Sequence, residues 1–397
     1  MNRSAQRRAR GFSLVELMVS VVIGLLAILF ATRIMTDGAR NRDAAMSGSD
    51  SMQSGMLAMF QISGDAEQAG FGLNDPLITG CNTVFSDSQG YALAPALRGG
   101  ATVRPLAAAV IEPGGEGPDR LSLYAGGATG GATTLRVTQN YIGGSAISVD
   151  RAGWGFALGD VIVVAPEQPG EDCAMAQVSV NPLSVPVPAQ LQFGSVEQRF
   201  NRGQLNVNYD GNTSRVFNLG PGARLAFHTW SVDGGYLRLR ATDMAGAAEI
   251  PQAVADNIVM LKAQYGFDTR ESTDFNPGLG TVIGQWSSEM VDADGDGVNG
   301  GAGDYGRIVA LRIAVVARAK NPERPIGGAD GEAVCNATVE VENQEPVYLF
   351  NREQPQGVDA APVKVDLAVE GDAVDWQCYR YRVFETIVPL RNAGWRN

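Results

Sequence analysis

An uninterrupted apolar stretch near the N-terminus constrains this chain more than any other feature. Residues 12–31 contain a single charged side chain, Glu16. About 20 apolar residues in a helix are enough to cross the hydrocarbon core of a bilayer. Four arginines and no acidic residue precede the stretch, at positions 3, 7, 8 and 10. Because cytoplasmic flanks carry the positive charge, we expect a single-pass protein with a cytoplasmic N-terminus and the rest of the chain across the membrane.

The junction before the apolar stretch differs from an ordinary secretory signal, which is cut after its apolar core at an Ala-x-Ala-like site. Here Gly11 and Phe12 precede the core, and Glu16 is the fifth residue after Gly11. This arrangement resembles the class III signal of type IV prepilins. The resemblance implies that a prepilin peptidase cleaves after Gly11 and methylates the new N-terminal Phe12. The apolar helix would then survive processing.

The acidic residue within the span calls for an explanation of its own. A carboxylate inside a membrane costs about 2.5–3.5 kcal/mol on insertion scales, so we expect Glu16 to be compensated by function. By resemblance to the prepilins, the free amine at Phe12 of a neighbouring subunit would neutralise it during assembly. The alternative is a plain signal anchor in which Glu16 lies near the membrane interface and has no role.

The remaining chain is acidic. The full sequence has 31 Lys+Arg against 43 Asp+Glu, a formal charge of -12, and loss of residues 1–11 would leave 27 minus 43, or -16. Nucleic-acid-binding proteins carry basic surfaces, so no direct nucleic-acid binding is expected. The 49 glycines and 19 prolines favour many short strands and turns.

The helical pattern continues without proline to about residue 68, which predicts one long helix for the membrane span and a spine beyond it. Met52, Met56, Met59 and Phe60 share one face, and we expect this face to pack against the body of the protein. Glycines after residue 69 end the helix. The predicted organisation is a leader at 1–11, a transmembrane and spine helix at 12–70, a β-rich insertion at 71–220 and a C-terminal β-rich head at 221–397.

Short alternating or apolar runs between Gly and Pro clusters predict strands. The clearest are a hairpin at 225–240, whose turn is Asp233-Gly234-Gly235, and long strands at 307–317 and 379–388. The only histidine, His228, falls within the hairpin and is expected on a strand face rather than as a metal ligand or base. The predicted fold class is α+β, with a long N-terminal helix packed on an antiparallel sheet and a β-rich insertion.

Four segments resemble PilW-type minor pilins of the type IV pilus in their order and spacing. They are the Asp-x-x-x-Ala-Gly-Phe run at 65–71, the segment 258–268, the strand at 307–317 and the closing segment 388–392. The resemblance is weakest at 74–216. It implies an inner-membrane subunit that joins the pilus, at its tip, with other minor pilins, the major pilin and a large tip adhesin as partners. It also implies support of pilus extension, twitching motility, adhesion or DNA uptake.

An acidic loop gives the sharpest metal signal. Asp292, Asp294 and Asp296 alternate, and Gly297 follows the third, a spacing by which a tight loop surrounds Ca²⁺ with oxygen ligands. The carbonyl of Val298 would be the next ligand. An EF-hand has Glu at position twelve, but here that position is Gly303, so Asp304 is the candidate for the missing carboxylate. The alternative is a solvated acidic turn.

The chain has four cysteines: Cys81, Cys173, Cys335 and Cys378. None of them forms a Cys-x-x-Cys pair, so neither a zinc site nor a redox dithiol is indicated. In an oxidising periplasm an even number suggests two disulfides. Three pairings are possible, and proximity along the chain favours Cys81–Cys173 and Cys335–Cys378.

Enzyme motifs are missing from the sequence. It contains no Gly-x-Ser-x-Gly elbow, no His-Glu-x-x-His and no dinucleotide fingerprint. Acidic pairs such as Asp268 with Glu271 give no specific support for a glycosidase. We therefore expect a non-catalytic assembly protein. The rivals are a type II secretion pseudopilin, which shares the leader and the Glu, and a membrane-tethered periplasmic enzyme.

Overall fold

The computed structural model describes residues 13–128, 133–184, 189–195, 197–323, 326–327, 333–335 and 347–393. The chain divides into two compact units, Met1–Asp50 and Ser51–Asn397, and we call the second unit the body. The predicted processing junction at Gly11 and Phe12 lies outside the described residues.

A single long helix, α1 (Leu14–Gln68), runs for 55 residues and contributes to both units. Its apolar part, Leu14–Thr36, is long and apolar enough to cross a membrane, and the most apolar part of it is not buried against other parts of the chain. After Gln68 the chain turns, and Gly70 and Gly72 have φ angles of 81° and 72°. Glycine adopts these angles without strain, which is why the helix ends at the predicted place.

Short strands dominate the rest of the described chain. Up to residue 221 they are β1 (Thr83–Val84), β2 (Ala96–Arg98), β3 (Ala101–Val103), β4 (Ala109–Glu112), β5 (Arg120–Ala125), β6 (Thr134–Arg136), β7 (Ala146–Ser148), β8 (Asp160–Pro166), β9 (Cys173–Gln177), β10 (Gln190–Gln192) and β11 (Ser214–Pro221). From residue 226 they are β12 (Ala226–Asp233), β13 (Tyr236–Ala241), β14 (Gln252–Asp256), β15 (Ile258–Phe267), β16 (Gln285–Ser287), β17 (Ile308–Arg318), β18 (Ile326–Gly327), β19 (Ala333–Val334), β20 (Val347–Leu349), β21 (Val363–Val365) and β22 (Tyr381–Pro389). A short helix, α2 (Ala302–Tyr305), precedes β17, and single 3-10 turns span Pro182–Ser184, Gly222–Arg224, Pro277–Leu279, Trp376–Cys378 and Arg391–Ala393.

Two antiparallel sheets share the main core of the body. Their strand orders are β14-β13-β12-β5-β4 and β16-β15-β17-β22. Side chains from both sheets and from the inner face of α1 bury one cluster, which includes Ile62, Tyr124, Phe227, Trp230 and Tyr265. The predicted hairpin is β12–β13, and the two long predicted strands are β17 and β22. The α+β fold class is confirmed.

Residues 71–220 contribute to two cores. Strands β4 and β5 join the same sheet as β12, where Tyr124 lies opposite Phe227. Strands β1, β9, β8, β11 and β6 form a separate sheet, with a second buried cluster that includes Tyr141, Phe193 and Val216. Within that sheet β1 and β9 run parallel, whereas the other pairs are antiparallel. The predicted insertion therefore contributes two strands to the sheet that contains β12 and forms a separate sheet with its other strands.

The expectation that the methionine face of α1 packs on the body is wrong for three of its four residues, because only Met59 is partly buried against the main core. Met52, Met56 and Phe60 are 45%, 52% and 78% exposed. The buried face carries small residues instead, together with Ile62. A Cβ on Gly55 would lie 2.0 Å from the ring of Phe384 on β22, so the helix approaches the sheet too closely for large side chains on that face.

Two disulfides join segments distant in sequence. Cys81 and Cys173 link the start of β9 to the segment before β1, with their Cα atoms 5.8 Å apart. Cys335 and Cys378 have Cα atoms 4.7 Å apart and hold the segment before β22. These are the pairs that proximity along the chain favours.

Candidate functional site

The carboxylate of Glu16 lies in the first turn of α1, where it accepts a 3.3 Å hydrogen bond from the Ser13 backbone N–H. The helix N-terminus favours a negative charge because its backbone N–H groups are unpaired. The neighbouring apolar side chains are exposed, including Leu14 at 76% and Val15 at 65%. This end of the helix thus presents one carboxylate on an apolar surface that a membrane or another helix can cover.

A polar cluster joins the last turns of α1 to strand β12. Asp65 Oδ2 accepts a hydrogen bond from Trp230 Nε1 at 2.8 Å and lies 2.8 Å from His228 Nδ1. On the other side of the ring, His228 Nε2 lies 2.8 Å from Asp243 Oδ1. An acidic residue near a helix C-terminus is unfavourable by itself, so these partners stabilise Asp65 where it lies.

The two carboxylates control the protonation of His228. Burial of the ring disfavours the charged form, but the hydrogen bonds and charges of Asp243 and Asp65 outweigh it and raise the pKa of His228 to about 9. The pKa of Asp243 is lowered, because the hydrogen bond and charge of His228 outweigh the effect of burial. His228 is therefore a charged residue that joins Asp65 to Asp243. The sequence pattern predicted the strand in which it lies but not these partners.

The C-terminal segment also caps α1. The Asn392 side-chain amide donates to the carbonyls of Glu67, Gln68 and Ala69 at 3.1–3.4 Å. The last carbonyls of a helix have no partner within the helix. Asn392 supplies one, and the closing segment thereby holds the C-terminal end of α1 in place.

The acidic loop brings three of its predicted ligands together. Carboxylate oxygens of Asp292, Asp294 and Asp296 all lie within 4.8 Å of one another. The Asp292 carboxylate accepts the backbone N–H groups of Gly295 and Gly297 at 2.8 and 2.9 Å, which closes the loop around it. An oxygen group of this kind can hold a hard divalent cation.

The remaining predicted ligands, Val298 and Asp304, are not members of this group of three carboxylates. A Cβ on Gly301 would lie 3.3 Å from both Asp296 Oδ2 and the Val298 carbonyl oxygen and 3.5 Å from Asp304 Oδ2, so these three oxygens border the same space. Asp304, the predicted missing carboxylate, is outside the group of three. It is fully buried and accepts the backbone N–H groups of Ala293, Asp294 and Gly301, so it caps α2.

Burial shifts the pKa of the Asp304 carboxyl. It raises the pKa of this carboxyl to about 6 against the opposing effect of the Ala293 and Asp294 N–H groups, and the charge of Asp294 adds to the rise. A cation on the three-carboxylate group would reduce that repulsion.

The acidic loop also touches the segment before β4. Arg98 donates to the carbonyls of Gly300 and Gly170 at 3.1 Å each, and the Gly99 N–H donates to the Asn299 carbonyl at 3.1 Å. The loop is thus a meeting point for three distant segments of the body.

Asp268, which the sequence analysis considered for a glycosidase pair with Glu271, forms an ion pair with a cationic side chain instead. Asp268 is fully buried and pairs with Arg270 at 2.6 Å. The pKa of Asp268 is lowered, because hydrogen bonds from Arg270 and from the Val282 N–H outweigh burial. Another buried carboxylate, Asp119, pairs with Lys262 at 2.6 Å. Both are structural ion pairs in the described part of the chain.

Family comparisons locate these features in known sequence families. Residues 6–32 match the prokaryotic N-terminal methylation motif. Residues 231–392 match the type IV pilus-assembly protein W (PilW) family. The second match includes Asp243, the acidic loop and Asn392.

The chain is similar to the PilW family over its C-terminal part and carries the prokaryotic N-terminal methylation motif. The resemblance predicted from the sequence is thereby confirmed for the leader and for the C-terminal part of the PilW-type chain. A type IV-like pilin from Thermus thermophilus is similar to it at 14% identity, over 43% of this chain and 70% of that chain, with a TM-score of 0.23. No curated protein matches the sequence.

Proposed function

We propose that this PilW-type minor pilin is inserted in the bacterial inner membrane, processed at Gly11, and incorporated with other minor pilins into a priming complex at the pilus tip. The major pilin, the prepilin peptidase and a large tip adhesin are its expected partners. The body would face the periplasm before assembly, and the complex would support pilus extension and thereby motility, adhesion or DNA uptake.

The observation that carries the proposal is the exposed apolar helix with Glu16 at its start, in a chain whose body matches PilW. An isolated carboxylate on such a surface is costly in a membrane and useful when a cationic group neutralises it. The amine of a processed Phe12 on the neighbouring subunit would be that group.

The exposed side chains of Met52, Met56 and Phe60 form a second apolar surface on α1, separate from the apolar span at its N-terminal end. Large exposed apolar surfaces mark interaction sites. This second surface suits packing against the helix of a neighbouring subunit.

The test of the assembly role uses a host strain that lacks its own copy of this gene. Glu16→Ala is expected to abolish complementation of surface piliation, whereas Ser20→Ala, which removes a polar group from the same helix, should complement fully. Normal piliation by Glu16→Ala, at equal protein levels, would contradict the role of Glu16.

The rival function, a pseudopilin of a type II secretion system, predicts a different loss. Deletion of the gene would then stop export of folded periplasmic proteins and leave pili intact. The match to PilW favours the pilus.

A second function concerns the acidic loop. Three carboxylates within 4.8 Å, with the Val298 carbonyl beside them, suit a structural Ca²⁺. The ion would neutralise their repulsion and hold together the three segments that meet there.

A further inference from the structure

The outer edge of β22 is the longest edge in the two core sheets. β22 (Tyr381–Pro389) has nine residues and, among the residues that the structure describes, pairs on one side only, with β17. The other edge strands of these sheets are shorter: β14 has five residues, β4 has four and β16 has three. Natural proteins keep sheet edges short or blocked, because an unpaired edge is a template for another strand.

The hydrogen bonds at the two ends of β22 show which of its backbone groups point outward. The Ala319 N–H donates to the Arg380 carbonyl at 2.7 Å, and the Leu390 N–H donates to the Val309 carbonyl at 2.9 Å. Between them the register is continuous, with Phe384 opposite Val315. Bonding direction alternates along an antiparallel strand, so the even-numbered residues of β22 bond to β17.

The odd-numbered residues therefore direct their backbone N–H and C=O groups away from β17. These residues are Tyr381, Val383, Glu385 and Ile387, since Pro389 has no N–H. The backbone N–H groups of Val383, Glu385 and Ile387 have no hydrogen-bond partner among the described residues. Ile387 is 54% exposed, so the edge is open at that end.

This edge is next to the helix through which assembly is proposed. The ring of Phe384 packs on Gly55 of α1, and Asn392, just beyond β22, caps the end of the same helix. A subunit that packs along the outer face of α1 would have its own chain close to β22.

We propose that β22 receives an extended strand from a different pilin-like subunit, which adds a fifth strand to the β16-β15-β17-β22 sheet. This rests on the proposed assembly function. The main-chain groups of the odd-numbered residues would bind the incoming backbone, and the exposed Ile387 would contact its apolar side chains. A second copy is disfavoured as the occupant, because a processed chain carries a formal charge of 27 minus 43, or -16, and copies repel each other. A neutral or basic segment fits better.

The first test replaces an outward donor and leaves the pairing with β17 intact. Ile387→Pro removes only an N–H that faces away from β17, and proline is tolerated on edge strands. It should leave the thermal unfolding of the detergent-purified full chain close to that of the wild type, yet fail to restore surface pili. Ile387→Ala, which keeps the N–H, should restore them. Thr386→Pro removes an inward donor opposite Ile313 and should unfold the chain.

The second test measures the hydrogen-exchange rate of each backbone amide along β22. The full chain is measured alone and in complex with the host's other pilin-like subunits. The amides of Val383, Glu385 and Ile387 should exchange fast alone and slowly in the complex. Those of Phe384 and Thr386 should be slow in both. Fast exchange of the odd-numbered amides in the complex would overturn the proposal, as would protection of the chain alone by its own self-association.

The outcomes separate this proposal from the assembly function. If the wild-type chain fails to restore pili, the assembly function is wrong. If the wild type and a folded Ile387→Pro variant restore pili equally, the assembly function stands and strand addition at β22 is wrong.

Discussion

His228 Nδ1 lies 2.8 Å from Asp65 Oδ2, so the one histidine of the chain connects the head sheet to the end of α1. Asp65 lies in the same helix that carries Glu16. A change in the charge of His228 therefore acts on the attachment of the C-terminal end of α1 to strand β12.

That attachment should weaken at alkaline pH. The pKa of His228 is raised from 6.5 to about 9 in the folded protein. Its contribution to the free energy of unfolding, about 2–3 kcal/mol, is complete below pH 6.5 and is lost as the pH rises to 9. Urea unfolding of the full chain in detergent at a series of pH values measures this. In the His228→Gln variant, the free energy of unfolding should no longer fall between pH 6.5 and pH 9. A pH dependence in that variant equal to that of the wild type would contradict the prediction.

Close packing of α1 on β22 predicts opposite effects for two glycines of the same helix. A Cβ on Gly55 would lie 2.0 Å from the Phe384 ring, whereas nothing lies within 4 Å of a Cβ on Gly64. Gly55→Ala should reduce the free energy of unfolding by about 1–3 kcal/mol through overpacking. Gly64→Ala should increase it by up to about 1 kcal/mol, since alanine favours helix. Stabilisation by both substitutions would show that the helix does not approach the sheet this closely.

Loss of the Cys81–Cys173 disulfide should destabilise the body strongly. The bond joins residues 92 apart in sequence, and Cys335–Cys378 joins residues 43 apart. Replacing Cys81 and Cys173 with serine should cost about 2–5 kcal/mol, because the unfolded chain gains the entropy of a long open loop. The matching double replacement at Cys335 and Cys378 should cost less. Equal urea midpoints for the wild type and the first variant would contradict a structural role.

Metal removal tests the acidic loop. A chelator should lower the melting temperature of the full chain if Ca²⁺ neutralises the carboxylates of Asp292, Asp294 and Asp296. Asp294→Asn should lower the melting temperature and abolish the chelator effect, whereas Asp274→Asn, at an exposed position outside the loop, should leave both unchanged. Elemental analysis that finds no metal, with no effect of chelator, would reject the calcium site.

Local sequence patterns sufficed for the longest helix and for several of the longer strands of the head. The long helix required only an apolar span, the absence of proline and two terminal glycines, and the β12–β13 hairpin required only its Asp-Gly-Gly turn between alternating strands. These features depend on neighbours along the chain.

Such patterns could not predict contacts between segments that are distant in the sequence. The direction of the Met52–Phe60 face was mispredicted because it depends on how closely β22 approaches Gly55, which only the three-dimensional packing determines. The partners of His228 were missed for the same reason, although an acidic residue near a helix end, Asp65, was a signal that a cationic or donor group lies nearby.

The acidic loop shows a third limit. Alternating carboxylates correctly predicted which side chains converge, but the burial of Asp304 follows from its capping of α2, a helix of four residues that no periodicity reveals. Its carboxylate accepts three backbone N–H groups, from Ala293, Asp294 and Gly301, and these bonds hold it in place.

Mass spectrometry of the mature N-terminus tests the central claim, that this chain is a processed pilin subunit, most directly. The account predicts that the chain purified from its host begins at N-methylated Phe12. A chain that still begins at Met1, in a host with an active prepilin peptidase, would contradict it and make α1 an ordinary membrane anchor.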